Sequence, residues 1–179
     1  FVINAMDFGW EHPQAHVQLI EDRESGTFYV TQAWKESHVA PEVAWATVKP
    51  WSIGVPTSWP LDGLQTEKNG TANQQKDYYI DAGFDMLHAH ATWPDGTNGV
   101  EAGLYEIRDL MIKGRFKVDR NLRDFFNEFN QYHRNQNGKI SKTMDDLLDA
   151  IRYAYMMRRY SIPWGERSRL TSPGVISSF

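Results

Sequence analysis

Acidic residues lie at three separated places along this chain, from which they can converge only in the folded structure. Asp7 ends an apolar, strand-like run, and Asp62 lies just beyond a second such run at residues 52–56. Asp145 and Asp146 open a long amphipathic stretch near the C-terminus. Converging carboxylates repel one another unless a cation lies between them, and hard divalent cations prefer oxygen ligands. The pattern therefore indicates a site for one or two divalent metal ions.

Each of these acids also has an ordinary structural interpretation. Asp7 and Asp62 could bond their own backbone in turns, since Asp is a common turn residue. Asp145 and Asp146 could serve a helix N-terminus, where negative charge is stabilising. Together with Asp149, however, they make three acids in five positions, which is more than a helix cap requires. The sequence leaves open which of Asp145 and Asp146 faces the site.

Composition limits the class of protein. A chain of 179 residues with 41% hydrophobic content fits one domain with its own core. The absence of Cys excludes disulfides and Cys-ligated zinc. No run approaches the length of a membrane span, and no signal peptide is visible. Because the chain starts at Phe1 without an initiator Met, we interpret it as a piece of a longer polypeptide.

The net charge of −4 argues against a generic nucleic-acid coat, because such proteins are usually strongly basic. It does not exclude an enzyme that acts on nucleic acid, since a carboxylate-rich metal site itself lowers the net charge. Other chemistries find no support. The sequence has no Gly-rich phosphate loop with Lys-Ser/Thr and no nucleophile elbow. His88 and His90 have strand spacing, but no third zinc ligand at a recognised spacing accompanies them.

The elements that must position the acids follow from periodicity and turn residues. Three β-rich runs at 2–7, 16–20 and 27–34 predict an antiparallel meander. Further strands are predicted at 52–56 and 85–89. Helical spacing and glycine stops predict helices at 38–48, 72–82, 99–113, 121–133 and 144–159.

Helices that alternate with later strands imply crossover connections and parallel pairing. The predicted fold class is therefore α/β, with a mixed five-stranded sheet flanked by helices. Asn137-Gly138 predicts an additional tight β-hairpin. We predict one domain over residues 1–164 and a loosely ordered tail over 165–179.

Three segments resemble the C-terminal nuclease domain of the large terminase subunit, the DNA-packaging motor of tailed double-stranded DNA phages. They are residues 7–15 (DFGWEHPQA), 114–116 (GRF) and 145–154 (DDLLDAIRYA). The resemblance spans nearly the whole chain. Within the family, the sequence is most similar to the large subunits of short-tailed phages that package by the headful. It implies an RNase H-like fold and a metal-dependent endonuclease that cuts concatemeric viral DNA by two-metal-ion hydrolysis with little sequence specificity.

The resemblance also implies roles for individual residues. Asp7 corresponds to the carboxylate that bridges two Mg²⁺ or Mn²⁺ ions, Asp62 to the second-strand ligand, and Asp146 or Asp145 to the helix ligand. Asp146 is slightly favoured, and Asp149 has a supporting place. Where many relatives carry a His before the double Asp, this chain has Met144, which favours a site made of carboxylates alone.

Partners follow from the same resemblance. They are double-stranded DNA, the terminase ATPase domain of the same polypeptide, the portal protein and the small terminase subunit, with no membrane. Lys68, Lys139 and Lys142 are candidate phosphate contacts, the last two on the predicted hairpin. The expected location is the host cell cytoplasm at the procapsid portal vertex, and not the mature virion. The alternatives are another RNase H-like nuclease of resolvase or transposase type, or a non-catalytic module that docks on portal or DNA.

Overall fold

The structure is a computed structural model that describes residues 1–66, 73–132 and 145–166. Three strands form the predicted antiparallel meander: β1 (Val2–Asp7), β2 (Gln14–Asp22) and β3 (Thr27–Glu36). Consecutive residues are buried over most of β1 and β2. Since successive side chains point to opposite faces, both faces of these strands are buried. The central strands therefore have to be covered by helices on both sides.

Two short strands extend the meander with parallel pairing. β4 (Thr57–Ser58) pairs with β1, and β5 (Phe116–Val118) pairs with β3. The strand order is β4-β1-β2-β3-β5. This confirms the mixed five-stranded sheet with an antiparallel meander and parallel additions.

The positions of the two added strands differ from the prediction. The strand predicted at 52–56 is wrong, because the preceding helix continues through Ser52 and Gly54 then turns the chain with a φ of 69°. Pairing begins only at Thr57. The strand predicted at 85–89 is also wrong, because that segment makes only one bridge to the sheet, from Met86 to Thr57.

Within the described residues the sheet is accompanied by five α-helices: α1 (Pro41–Ser52), α2 (Gln75–Ala82), α3 (Val100–Ile112), α4 (Arg123–Gln131) and α5 (Asp146–Met156). All five correspond to predicted helices, with ends that move by a few residues. Gly83 follows α2 with a φ of 117°, and Gly114 follows α3 with a φ of 67°. Both glycines take the left-handed conformation that ends a helix at little steric cost.

The two faces of the sheet have separate cores. Helix α5 packs on one face against the odd-numbered residues of β1 and β2, which include Ile3, Ala5, Ala15, Val17 and Leu19. On the other face, Met6 joins the buried residues of α1 and α2, Ala44, Val48 and Tyr79. Because side chains alternate along a strand, this division decides which helix each strand residue meets.

Two predicted features lie outside the described residues: the Asn137-Gly138 hairpin and, except for its first two residues, the tail predicted at 165–179. The same is true of Lys68, Lys139 and Lys142. Within the described ranges, no helix is both long enough and apolar enough to cross a membrane.

Candidate active site

Asp7 is the last residue of β1 and points to the face that α5 covers. Its direction follows from alternation, because Ile3 and Ala5 lie on that face and contact the α5 core. Burial, followed by the nearby carboxylates of Asp149 and Asp146, raises the pKa of Asp7 to about 8. Asp7 is therefore a partly buried acid in a crowded negative environment.

Helix α5 supplies the other acids of this environment. Asp146 is its first residue, Asp145 immediately precedes it, and Asp149 lies one turn further along. All three raise the pKa of Asp7, and Asp149 has the largest effect among them. The sequence assigned Asp149 only a supporting place. In the structure, the charge of Asp149 raises the pKa of Asp7 more than the charge of Asp146 does.

Arg152 is a buried cation that belongs to this site. Its Nε and Nη2 atoms donate to Asp149 Oδ1 at 3.3 and 2.9 Å. Its guanidinium lies 4.5 Å from the centre of the Tyr153 ring, and its charge lowers the pKa of Asp7. Arg152 therefore fixes the carboxylate of Asp149 and partly offsets the negative charge around Asp7.

Lys35 is a second cation at the site, near the end of β3. Its Nζ atom contacts Glu128 Oε1 and lies 3.7 Å from Asp146 Oδ2. Burial raises the pKa of Asp146, whereas Lys35 acts in the opposite direction. One ammonium group is therefore shared between a carboxylate of α4 and a carboxylate of α5.

Glu128 connects α4 to the beginning of α5. Its side chain is fully buried, and its Oε2 atom accepts hydrogen bonds from the backbone N–H groups of Leu147 at 2.9 Å and Leu148 at 3.3 Å. The preceding Asp145 makes no side-chain cap to this helix. Glu128 therefore provides the capping that a local residue usually supplies.

Asp62 lies beyond the end of β4, in a 3₁₀ turn (Leu61–Leu64), where it is exposed. β1 and β4 are parallel neighbours, so their C-terminal ends lie at the same end of the sheet. Asp7 is the last residue of β1, and Asp62 lies shortly after β4. A Cβ atom placed on Gly63 would lie 2.7 Å from the Phe8 ring. The turn that carries Asp62 is thus packed against the residue after Asp7.

The acids have an open arrangement. In the part of the chain that the structure describes, no three His, Cys, Asp or Glu side chains form a set that could hold a metal ion as they stand. The donors near Asp7 are nevertheless all carboxylate oxygens, the ligands that Mg²⁺ and Mn²⁺ prefer. Burial and, after it, repulsion from the nearby acids raise the pKa of Asp7, and positive charge placed beside Asp7 would relieve that repulsion. The donor set therefore fits a hard divalent cation.

Three residues that contact α5 or its acids were missed in the sequence: Lys35, Glu128 and Arg152. Glu128 gave a usable signal, because it lies three residues after Phe125, on the buried side of α4. A carboxylate on an apolar helix face requires a partner. Arg152 follows Asp149 by the three-residue spacing of a helical ion pair. Lys35 gave no local signal, because its partners come from two distant helices.

Comparison with known proteins identifies one family. A family model described as the terminase RNaseH-like domain matches residues 4–158. Over 161 residues the chain is 55% identical to the large terminase subunit of Salmonella phage P22, which covers 90% of this chain and 32% of that protein. The structure of the P22 large terminase nuclease domain matches with a TM-score of 0.88 and 53% identity, over 93% of this chain and 86% of that chain.

A more distant structure has the same fold. The nuclease domain of the g2p large terminase of bacteriophage SPP1, with bound Mn, matches with a TM-score of 0.63 and 18% identity. The match covers 88% of this chain and 86% of that chain. These similarities confirm the RNase H-like fold that was expected from the sequence. The chain spans about a third of the length of the curated large subunits that it matches.

Proposed function

This chain belongs to the terminase RNaseH-like domain family, and from that membership we propose that it is a metal-dependent endonuclease that cuts concatemeric double-stranded viral DNA during genome packaging. The observation that carries the proposal is Asp7, a partly buried acid that faces the acids of α5 and has a pKa of about 8. A protein retains such repulsion where a cation or a substrate relieves it.

We assign the cation ligands among the carboxylates at the C-terminal ends of β1 and β4 and at the start of α5. Asp7 would be shared between two Mg²⁺ or Mn²⁺ ions, with Asp62 on one side and Asp146 on the other, and Asp145 is the alternative to Asp146. Bound Mn in the distant SPP1 nuclease domain supports the choice of metal. When bound, two such ions supply the Lewis-acid chemistry of phosphodiester hydrolysis, activating water and stabilising the leaving oxygen.

The remaining residues prepare this constellation. Arg152 holds Asp149 in one orientation through two hydrogen bonds, so that its charge lies at a fixed place beside Asp7. Glu128 holds the first turn of α5, which carries Asp146. Asp62 lies in a 3₁₀ turn with its side chain exposed, so its carboxylate is open to an ion that arrives from solvent.

DNA and partner contacts are also part of the proposal. Lys68, Lys139 and Lys142 are proposed to contact phosphates, which would give little sequence preference because phosphates carry no base identity. The ATPase domain of the same polypeptide, the portal protein and the small terminase subunit are the proposed partners. The proposed place of action is the portal vertex of the procapsid in the host cytoplasm, and the protein is not proposed to remain in the mature virion.

Plasmid cleavage tests the activity. We expect a full-length large subunit that carries this domain to cut supercoiled plasmid with Mn²⁺ or Mg²⁺, and the cutting to stop with a chelator or with Asp7→Ala. The isolated domain is assayed in parallel. A comparison of the two shows how much the cleavage depends on the rest of the subunit. Cleavage that persists in Asp7→Ala would contradict the assigned site.

Two further outcomes would support the alternatives instead. Preferential cutting of four-way junctions over linear duplex would indicate a resolvase-type nuclease. If the full-length protein binds DNA or portal but cuts nothing with either metal, this domain is a docking module without catalysis. The 55% identity to a large terminase subunit gives neither alternative any support at present.

A further inference from the structure

The ammonium group of Lys35 is placed unequally between two carboxylates. Its Nζ atom donates a direct hydrogen bond to Glu128 Oε1 but lies 3.7 Å from Asp146 Oδ2. The Lys35 side chain is 17% exposed and that of Asp146 13%, so solvent screens their interaction weakly. Lys35 is therefore a ready competitor for any cation that approaches Asp146.

Glu128 determines how strongly Lys35 competes. Its carboxylate is fully buried, and a charge removed from water requires close partners. It has three in the described structure: Lys35 on one oxygen, and the N–H groups of Leu147 and Leu148 on the other. Glu128 is thus a stronger and better fixed partner for Lys35 than Asp146 is.

We propose that Glu128 is a positioning residue that holds Lys35 back from Asp146 and so keeps the Asp146 carboxylate available to a divalent cation. The inference rests on the proposed function, since it assumes that Asp146 takes part in binding the ion. It assigns Glu128 two linked tasks: it orients the first turn of α5 and it restrains the cation already present at the site.

The substitution Glu128→Gln separates charge from shape. A glutamine has nearly the same shape and can still accept the two N–H groups of α5, but it no longer binds the ammonium group as an ion. Lys35 should then move to Asp146 as its remaining carboxylate partner. We expect the Kd for Mn²⁺ to rise about tenfold or more, the range of coupling between charges that share a partner.

Lys35→Met and the double variant complete the cycle, with Mn²⁺ affinity measured by isothermal titration calorimetry. A simple effect of net charge would be additive, so Lys35→Met would improve affinity equally in both backgrounds. Restraint by Glu128 predicts that Lys35→Met improves affinity about tenfold more in the Glu128→Gln background than in the wild type. Equal improvements in the two backgrounds would overturn the inference.

Lys35→Met alone leaves a buried carboxylate without its cation, so that variant could fail to fold. In that case the crystal structure of Glu128→Gln decides the question. We expect the distance from Lys35 Nζ to Asp146 Oδ2 to shorten from 3.7 Å to that of a direct hydrogen bond, about 2.8 Å. An unchanged distance would refute the restraint.

The experiment distinguishes this inference from the proposed function. If the wild-type domain gives no Mn²⁺ heat and no shift in melting temperature, the metal site itself is wrong. If the wild type binds Mn²⁺ and Glu128→Gln binds it equally well, the metal site stands and the role of Glu128 is wrong. Both readouts are independent of DNA cleavage.

Discussion

Asp7 and Lys35 lie in one row of the sheet, on the face that α5 covers, with Ala15 between them. Adjacent strands are about 4.8 Å apart, so the two Cα atoms are separated by about 10 Å. The Lys35 ammonium group instead contacts Glu128 and lies 3.7 Å from Asp146 Oδ2. Helix α5 covers this row of the sheet and brings Asp146 beside Lys35, and Asp149 close enough to raise the pKa of Asp7.

The first prediction concerns the charge of Asp7. Asp7→Asn removes a carboxylate that lies among three other acids, so it should raise the melting temperature of metal-free protein by roughly 2–4 °C, the shift of about 1 kcal/mol in a domain of this size. The same variant should lose the increase in melting temperature that Mn²⁺ produces in the wild type. Differential scanning calorimetry with and without MnCl₂ measures both effects.

Glu24→Gln is the matched control for this experiment. Glu24 is exposed in the turn between β2 and β3, at the end of the sheet opposite Asp7. It should behave as the wild type in both buffers. A normal response of Asp7→Asn to Mn²⁺ would exclude Asp7 as a ligand.

The second prediction separates the two adjacent acids of α5. Asp146 starts the helix and is the carboxylate near Lys35, whereas Asp145 precedes the helix and has the weaker influence on Asp7. Asp146→Asn should raise the Kd for Mn²⁺ about tenfold or more, and Asp145→Asn by less than about threefold. Calorimetric titration of the two variants side by side gives the ratio. The reverse order would assign the ligand to Asp145.

These two predictions indicate what the sequence could and could not provide. The positions of Asp7 and the double Asp were predictable because each ends or begins a strongly patterned element, a β-rich run or an amphipathic helix. The contacts of Lys35 with Glu128 and Asp146 were not, because they depend on how α4 and α5 pack across β3. Lys35 and Glu128 are far apart in the chain, and contacts of this kind leave no repeating pattern in the local sequence.

The errors in the fold have a similar cause. The run at 52–56 has strand composition, yet Ser52 still belongs to α1 and accepts a hydrogen bond from the side chain of Asn4 on β1. The segment at 85–89 lies beside Thr57, but β4 is only two residues long, so there is little strand to pair with. Tertiary contacts thus decided both cases against local propensity.

The third prediction tests Asp62, whose assignment rests on position. Its carboxylate is exposed, so Asp62→Asn should change the metal-free free energy of unfolding by less than about 0.5 kcal/mol. It should nevertheless reduce Mn²⁺ affinity and cleavage by a full-length large subunit. Asp81→Asn, an exposed acid on α2, serves as the control. Unchanged Mn²⁺ affinity in Asp62→Asn would remove this residue from the site.

The fourth prediction concerns pH and a residue on the opposite face of the sheet from the proposed metal site. His16 is buried beside Gln14 and stacks on Phe84, with ring centres 5.1 Å apart. Burial lowers the pKa of His16 to about 3, against 6.5 for an unperturbed histidine. Below about pH 6.5 His16 therefore binds a proton in the unfolded chain but stays neutral in the folded protein. The free energy of unfolding then falls by up to about 1.4 kcal/mol for each pH unit of acidification.

Replacing the ring should remove this dependence. Urea denaturation of His16→Gln between about pH 6.5 and pH 4.5 should show a shallower loss of stability than the wild type, by up to about 2.7 kcal/mol over the interval. Titrations of other groups cancel in the difference between the two proteins. His88→Gln, at an exposed histidine, should follow the wild type. Parallel curves for His16→Gln and the wild type would contradict a neutral, buried His16.

The most direct test of the account is anomalous scattering from crystals of this domain soaked in MnCl₂. The account predicts two manganese peaks about 3.5–4 Å apart, both bordered by the Asp7 carboxylate, with Asp62 on one side and Asp146 on the other. Peaks at another place, or no peak beside Asp7 in crystals that bind manganese elsewhere, would contradict it.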